Sequence, residues 1–333
     1  MGGRTARQSS KSPQGSLLAS PLVAPHNGSP FVTVSVMSWL SDQLACLPSW
    51  LLPQHTVSRL VYHLARARQP WLKQLLIDGL IRAYKVDLAD AAQPDPRAYA
   101  DFVSFFTRAL REGARPLSGD ERTLTSPADG ALSAYGQIDG DRLLQAKGRT
   151  FTVAELLGGD FALADEFTDG EFCTVYLAPR DYHRVHMPLA GTLRSMTHVP
   201  GRLFSVQGAT ARQIDRLFAR NERLVCVFDT ACGPLAVVLV GALLVSSIST
   251  VWAGQINPHG ERRGLWRKTY PASGEGSVQL PRGAELGHFA MGSTVILLLP
   301  PGAFAWDGAV CDGRALRCGE ALGAWPPAGE TAA

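Results

Sequence analysis

The strongest constraint on this fold is a change of pattern at Pro116. Beyond it, short apolar runs alternate with turns rich in Gly, Asp and Pro almost to the C-terminus. Short runs bounded by turn residues are typical of β-strands. The pattern therefore predicts a β-rich domain, interrupted by one helix over 210–219 and a short one over 153–157. Its clearest expected strands are 130–135, 172–177, 191–199, 224–229, 235–240 and 293–299.

Upstream of Pro116, apolar residues recur at helical spacing over 38–84, and 95–110 is predicted to form another helix. Between Met37 and Lys85 the charges are mostly basic. Tryptophans on an apolar face opposite a basic face are what a helix needs to lie on anionic lipid. The same pattern equally fits a helix packed on the protein's own core, with its basic residues in solvent.

The composition excludes several classes of protein. The longest apolar stretch, 234–245, is interrupted by glycine and falls short of the roughly 18 residues of a membrane-spanning helix. Any membrane contact is therefore expected to be peripheral. A net charge of +3 over 333 residues does not argue for nucleic acid. The six cysteines form no CxxC pair and no zinc spacing, so we expect reduced thiols and no metal.

These patterns divide the chain into four parts. Residues 1–36 are rich in Ser, Pro and Gly and lack the apolar core of a signal peptide, so we expect a disordered extension. A helical region follows over 37–115, then the β-rich domain over 116–325 and a loose tail over 326–333. The expected fold class is α+β.

A segment between Pro179 and Pro188 holds His183 and His186, three residues apart. This HxxH spacing could seat a metal, but no third ligand lies nearby and the flanking arginines oppose a cation. A single histidine is more often structural. Two in a rigid segment make acid–base work an equal alternative.

Asp129 and Ser293 complete a candidate relay with His186. Asp129 stands at the tip of the turn Ser-Pro-Ala-Asp-Gly, and Ser293 follows Gly292 in a Gly-Ser-Thr turn that enters a strand. Each turn alone is commonplace. A Ser–His–Asp relay is recognised by geometry and arises in any chain order. No Gly-x-Ser-x-Gly elbow surrounds Ser293, which weakens a serine hydrolase reading.

Two motifs in this order are highly specific together: Arg-Asp-Tyr-His-Arg-Val-His at 180–186 and Gly-Ser-Thr at 292–294. With them the chain resembles the bacterial-type phosphatidylserine decarboxylase proenzymes, nearly end to end from Met37. Residues 246–250 depart slightly from the family, which often has Gly and Glu there. The other shared stretches are 83–87, 127–130, 144–148, 200–206, 217–223, 240–242, 250–254 and 283–287.

The resemblance implies a self-processing carboxy-lyase. Cleavage between Gly292 and Ser293 would give a β chain, 1–292, and an α chain, 293–333. Ser293 would become the covalent pyruvoyl group, so that the cofactor, pyruvate, derives from Ser293 itself. Asp129, His186 and Ser293 would form the charge relay for this cleavage. The pyruvoyl group would form a Schiff base with phosphatidylserine, releasing CO2 and phosphatidylethanolamine. His183 is the candidate proton donor, a role that His186 could share.

The resemblance also implies a lipid surface. It makes 37–115 a membrane-docking region and 116–325 the catalytic domain of a peripheral protein on the cytoplasmic face of the cell membrane. The expected partners are phosphatidylserine, an anionic membrane surface and the protein's own second chain, with further dimerisation left open and no nucleic acid. No head-group-binding residue is assigned.

Three alternatives stay open at this point. One is a soluble pyruvoyl decarboxylase acting on a free amino acid, which the Trp-rich basic helices disfavour. Another is a serine hydrolase that uses Asp129, His186 and Ser293 without cutting itself. The third is a non-catalytic module that binds lipid, which retention of the relay residues beside Gly292 disfavours.

Overall fold

The computed structural model describes residues 2, 54–146, 148–242, 248–257, 264–290 and 292–327. The expectations for most of 1–36, for 38–53 and for the tail beyond 327 fall outside these ranges. Within them, a few helices precede a β-rich body, which confirms the α+β class. Five of the cysteines lie in the described ranges, and all five are free thiols.

Two helices of ordinary length open the described chain, α1 (Gln54–Ala65) and α2 (Pro70–Tyr84). Pro70 suits the first turn of α2, where a backbone N–H has no partner within the helix. Lys85 ends the helix in the left-handed conformation, at φ 54°. The helical prediction for this part of the chain is confirmed where the structure describes it.

The single helix expected over 95–110 is wrong. The segment forms a 3₁₀ turn, Pro96–Ala98, and the five-residue helix α3 (Phe102–Phe106). Asp101 separates them, because its backbone is extended and its carboxylate accepts the N–H of Ser104 at 2.8 Å. This is an N-cap, which starts a new helix rather than continuing one.

The remaining helices are short. The helix expected over 153–157 is present, whereas the one expected over 210–219 is divided by Arg216, which adopts a left-handed φ of 52°. The bounds are α4 (Val153–Leu156), α5 (Phe161–Asp165), α6 (Gly208–Gln213) and α7 (Leu217–Arg220).

All six expected strands are present, two of them, β7 and β15, at their expected bounds. The strands are β1 (Thr123–Thr125), β2 (Gly130–Gln137), β3 (Arg142–Ala146), β4 (Arg149–Thr152), β5 (Glu171–Leu177), β6 (Arg184–His186), β7 (Gly191–Val199), β8 (Arg223–Thr230), β9 (Gly233–Gly241), β10 (Ile248–Thr250), β11 (Gly254–Gln255), β12 (Trp266–Thr269), β13 (Gln279–Leu280), β14 (Glu285–Phe289), β15 (Ser293–Leu299), β16 (Ala305–Trp306), β17 (Ala315–Leu316) and β18 (Ala321–Ala324).

A nine-stranded antiparallel sheet forms the body of the fold. Its spatial order is β12, β7, β8, β9, β15, β5, β2 and β17, with β13 beside β7. A four-stranded sheet in the order β11, β10, β14, β6 carries the chain that links β5 to β7. The smaller sheets join β1, β18 and β16, and β3 with β4. The strand β15 is therefore central in the largest sheet.

Apolar side chains cover both faces of the nine-stranded sheet. Along β15, Val295 packs in the cluster that also contains Phe289 of the four-stranded sheet, and Ile296 packs in the opposite cluster. Successive side chains of a strand point to opposite faces. Ser293 therefore points to the same face as Val295, toward the four-stranded sheet that carries His186.

Candidate active site

Ser293 is the first residue of β15 and has no exposed surface. It pairs with Leu177 of β5 on one side and with Gly241 of β9 on the other. Its hydroxyl oxygen has no hydrogen-bond partner within the described part of the chain. An unpaired buried hydroxyl costs about 1–3 kcal/mol. The hydroxyl next to Gly292 is therefore a destabilising group in the described structure.

His183 is fully buried on the segment that joins β5 to β6. Its Nδ1 donates to the backbone carbonyl of Asp181 at 2.9 Å, so the unprotonated nitrogen is Nε2, which has no partner among the described residues. The ring lies 4.1 Å from that of Phe106. Burial lowers the pKa of His183 to about 3. The imidazole is therefore neutral at neutral pH, with a free lone pair.

His186 is held at both ring nitrogens. Its Nδ1 donates to the carbonyl oxygen of Gly283 at 2.8 Å, and the Tyr182 hydroxyl donates to Nε2 at 2.9 Å. Its backbone N–H bonds to the carbonyl of Pro127 at 2.8 Å. These contacts fix one tautomer with Nε2 as the basic nitrogen. Neither around His186 nor anywhere else among the described residues do three His, Cys, Asp or Glu side chains lie close enough together to hold a metal ion.

The Asp129 carboxylate pairs with Arg115, and no hydrogen bond among the described residues joins it to His186. Arg115 donates from Nε and Nη2 to the two oxygens at 2.9 and 2.6 Å, and the N–H of Cys318 adds a bond at 2.9 Å. This bidentate hydrogen bonding raises the pKa of Arg115. Asp129 instead lies in the turn whose Pro127 carbonyl binds the His186 backbone.

The sheet register gives the spacing of these groups. Ala131 of β2 pairs with Tyr176, which pairs with Thr294. Asp129 precedes β2 and is thus two strands from Ser293, roughly 10 Å at the usual interstrand spacing. On the histidine side, the N–H of Phe289 bonds to the His183 carbonyl at 3.1 Å, shortly before the chain reaches Gly292. The register therefore places the turn of Asp129 and the histidine segment near the end of β15 that begins at Ser293.

The hydrogen-bond partners of His186 and Asp129 were not predicted from the sequence. Tyr182 lies within the histidine segment, four residues before His186, and that spacing is the one signal that could have shown it. Arg115 is one of three closely spaced arginines, and nothing in the pattern selects it. The Gly283 carbonyl has no sequence signal, because any residue supplies one.

A family model for phosphatidylserine decarboxylase matches residues 102–324, two thirds of the chain. This chain belongs to the phosphatidylserine decarboxylase family. A second model, described as PSD, matches residues 44–85. Membership confirms the resemblance and the enzyme class, because the family is one of carboxy-lyases.

Three relatives of known name illustrate the match. The phosphatidylserine decarboxylase proenzyme of Azotobacter vinelandii is 52% identical over 284 residues, covering 85% of this chain and 99% of that protein. That of Methylococcus capsulatus is 50% identical over 288 residues, covering 86% and 99%. The Alkalilimnicola ehrlichii proenzyme is 54% identical over 257 residues, covering 77% and 88%. The likeness therefore extends through both the helical and the β-rich parts.

Proposed function

We propose that this protein converts phosphatidylserine to phosphatidylethanolamine and CO2 with a pyruvoyl group that it makes from Ser293. One observation carries the proposal: a buried, unpartnered serine hydroxyl follows Gly292 in a chain of the phosphatidylserine decarboxylase family. The relatives' name, proenzyme, supports processing into two chains. Release of CO2 from phosphatidylserine by the purified protein tests the proposal, and cleaved protein without this activity would overturn it.

Self-cleavage begins at the Ser293 hydroxyl. His186 takes the proton at Nε2, where it replaces the hydrogen bond from the Tyr182 hydroxyl, because its Nδ1 is held by the Gly283 carbonyl. It returns this proton to the nitrogen of residue 293 as the peptide bond breaks. The oxygen attacks the Gly292 carbonyl carbon, and an ester replaces the peptide bond. Loss of the Ser293 α-proton then breaks the Cβ–O bond, which frees residues 1–292 with a terminal carboxylate. The dehydroalanine left on residue 293 takes up water and releases ammonia.

The residues around position 293 fit a pyruvoyl group. The site is closed to solvent, and His183 Nε2 is buried without a partner in the described part of the chain. A pyruvoyl group supplies a carbonyl that condenses with an amine and a second carbonyl that withdraws electrons. His183 then holds the proton that is returned to the substrate's α-carbon. Nε2 carries no proton at neutral pH, so His183 takes this proton from water before it passes it to the substrate.

Asp129 acts on this chemistry by holding a turn. Its bidentate pair with Arg115 fixes the turn whose Pro127 carbonyl binds the His186 backbone. The two side chains are only 13% and 14% exposed, so water does not readily replace either partner. The proposed relay thus includes Asp129 as a positioning residue.

Asp129→Asn and Arg115→Met are both expected to slow self-cleavage, by roughly 10- to 100-fold, because losing one partner of a buried pair is costly. A time course of the proenzyme on denaturing gels after cell-free synthesis measures this. Arg142→Met, a change of an exposed arginine on β3, is the matched control and should cleave at the normal rate. Normal cleavage of Arg115→Met beside slow cleavage of Asp129→Asn would show that Asp129 acts on His186 directly.

The helical part offers a surface for lipid. Leu60, Trp71 and Leu75 on α1 and α2 are 61%, 71% and 63% exposed. Trp71 and Leu75 are four residues apart and share one face of α2. Large apolar side chains exposed on one face mark contact with another apolar phase. Among the described residues, no helix combines the length and apolar character needed to cross a bilayer. We propose that this face docks on the anionic, cytoplasmic surface of the cell membrane.

Replacing Trp71 and Leu75 together by serine should lower binding to phosphatidylserine-containing vesicles by roughly 10²- to 10⁴-fold, since burying each of the two side chains contributes about 1.5–3 kcal/mol. Vesicle sedimentation measures the effect. Phe161→Ser is the control, because Phe161 is 74% exposed but belongs to the β-rich body. Vesicle binding that is lost in Phe161→Ser and kept in the double variant would assign docking to the other surface.

A further inference from the structure

Arg108 is a buried cation that the fold does not neutralise. The residue is 4% exposed, and burial lowers the pKa of its guanidinium. Its Nη2 donates to the backbone carbonyls of Arg180 and Asp181 at 3.1 and 3.4 Å. Its Nε and Nη1 have no partner within the described residues. Burying a charge in this way costs several kcal/mol unless a counter-charge arrives.

The nearest carboxylates are bonded elsewhere. Asp129 is held by Arg115 and by the N–H of Cys318. Asp181 accepts the N–H of Ala178 at 2.7 Å and lies 3.7 Å from the Arg180 Nε. Arg108 feels both charges but forms no ion pair with either in the described part of the chain. Its two unused donors are buried, so an anion reaches them through the cleft that Arg108 lines.

Arg108 lines a cleft of about 420 Å³ between the segment after α2 and the end of the β-rich body. That volume suits a small ligand or a lipid head group. Five basic and four acidic side chains line the cleft, so its charge favours an anion. They are Lys85, Arg108, Arg115, Arg180 and Arg317, and Asp87, Asp90, Asp129 and Asp181.

The same arginine lies next to His183. The Asp181 carbonyl accepts hydrogen bonds from both His183 Nδ1, at 2.9 Å, and Arg108 Nη2, at 3.4 Å. Phe106, two residues before Arg108, packs on the His183 ring. An anion bound to Arg108 would therefore lie beside the histidine that is proposed to return the proton.

We propose that Arg108 binds the phosphodiester of the phospholipid head group and so positions the substrate against His183. This inference rests on the proposed function and adds the residue that recognises the head group. The charge of the guanidinium and its two unused donors, Nε and Nη1, suit the oxygens of a phosphate. The segment that lines the cleft directly follows α2, one of the helices of the proposed membrane-docking face.

The substrate's other anion, its carboxylate, is a poor ligand for Arg108. The carboxylate must lose its charge as CO2 leaves, and an arginine paired with it would stabilise the ground state more than the transition state. The phosphodiester keeps its charge throughout the reaction. Pairing with it gives affinity and orientation without opposing the chemistry.

The binding test uses the full-length Ser293→Ala chain, which cannot form the pyruvoyl group. The probe is dihexanoyl phosphatidylethanolamine below its micelle concentration, with its dissociation constant measured by calorimetry. Adding Arg108→Met should weaken binding by roughly 10- to 100-fold, as expected for a lost charge-assisted pair. Adding Arg142→Met should change nothing. Unchanged affinity in Arg108→Met would overturn the proposal.

Inorganic phosphate separates the two sources of this anion. Binding of the lipid diester that depends on Arg108 and exceeds that of phosphate supports a head-group site. If Arg108→Met weakens the binding of inorganic phosphate but not that of the lipid diester, the head-group proposal is wrong. Arg108→Lys keeps the charge and loses the planar guanidinium, and it covers the case in which Arg108→Met does not fold. We expect it to bind the diester more weakly than wild type but still measurably.

Kinetics of the mature enzyme give an independent readout. Arg108→Met should raise KM for dihexanoyl phosphatidylserine more than tenfold and lower kcat much less, whereas a structural defect would lower the active fraction and leave KM unchanged. An unchanged KM would contradict the proposal. The two proposals can also fail separately. If diester binding depends on Arg108 but the wild-type protein releases no CO2, the proposed function is wrong and the Arg108 site is retained.

Discussion

Ser293→Ala should yield a single uncleaved chain with no decarboxylase activity. The substitution removes the oxygen that attacks Gly292 and the atoms from which the pyruvoyl group is made, so cleavage and catalysis are lost together. Because the hydroxyl is buried without a partner in the described structure, its removal should not destabilise the fold. Denaturing gels, thermal melting and CO2 release measure the three quantities.

Ser293→Cys is the matched comparison, since a thiol can also attack the carbonyl. We expect slow cleavage of this variant. An active, uncleaved Ser293→Ala chain would contradict the pyruvoyl account. Labelling of an intact wild-type chain by a fluorophosphonate would favour the serine hydrolase alternative.

His183→Gln should cleave at Gly292 and decarboxylate poorly. The amide can still donate to the Asp181 carbonyl, as His183 Nδ1 does, but it cannot carry the proton to the substrate. Loss of a positioned acid or base typically costs 10²–10⁴ in rate, so we expect kcat to fall by about that factor. Gel analysis of cleavage and CO2 release from the same preparation separate the two steps.

His186→Ala supplies the contrast to His183→Gln. It should block or slow cleavage, because His186 Nε2 is the proposed base for Ser293. If His183→Gln decarboxylates at the normal rate, the role assigned to His183 is wrong. Failure of His183→Gln to cleave would move His183 into the self-cleavage step.

The strands could be predicted because each carries its own signal. The run 293–299 is apolar throughout and is bounded by Gly292 and Pro300, so local composition alone indicated a buried strand. The division of 95–110 into two elements was not predicted, because the spacing of apolar residues gives no information about a helix N-cap. Asp101 accepts a bond from Ser104 and starts a new helix, although the buried phenylalanines keep helical spacing.

The residues of the site could be named from sequence, but not their partners. The Asp129 carboxylate could have paired with either of two basic side chains, Arg115 or His186. It pairs with Arg115 because of how the segment before β1 lies against the turn at 127–129. His186 takes its tautomer from a carbonyl 97 residues away. Arg108 is one arginine among several in the sequence, and only its burial without a counter-charge sets it apart.

The intact mass of the purified wild-type protein under denaturing conditions tests the central claim most directly. We predict two chains that separate between Gly292 and Ser293, with the smaller one lighter than encoded residues 293–333 by one ammonia, the loss that turns an N-terminal serine into a pyruvoyl group. A single full-length chain from protein that decarboxylates phosphatidylserine would contradict the account.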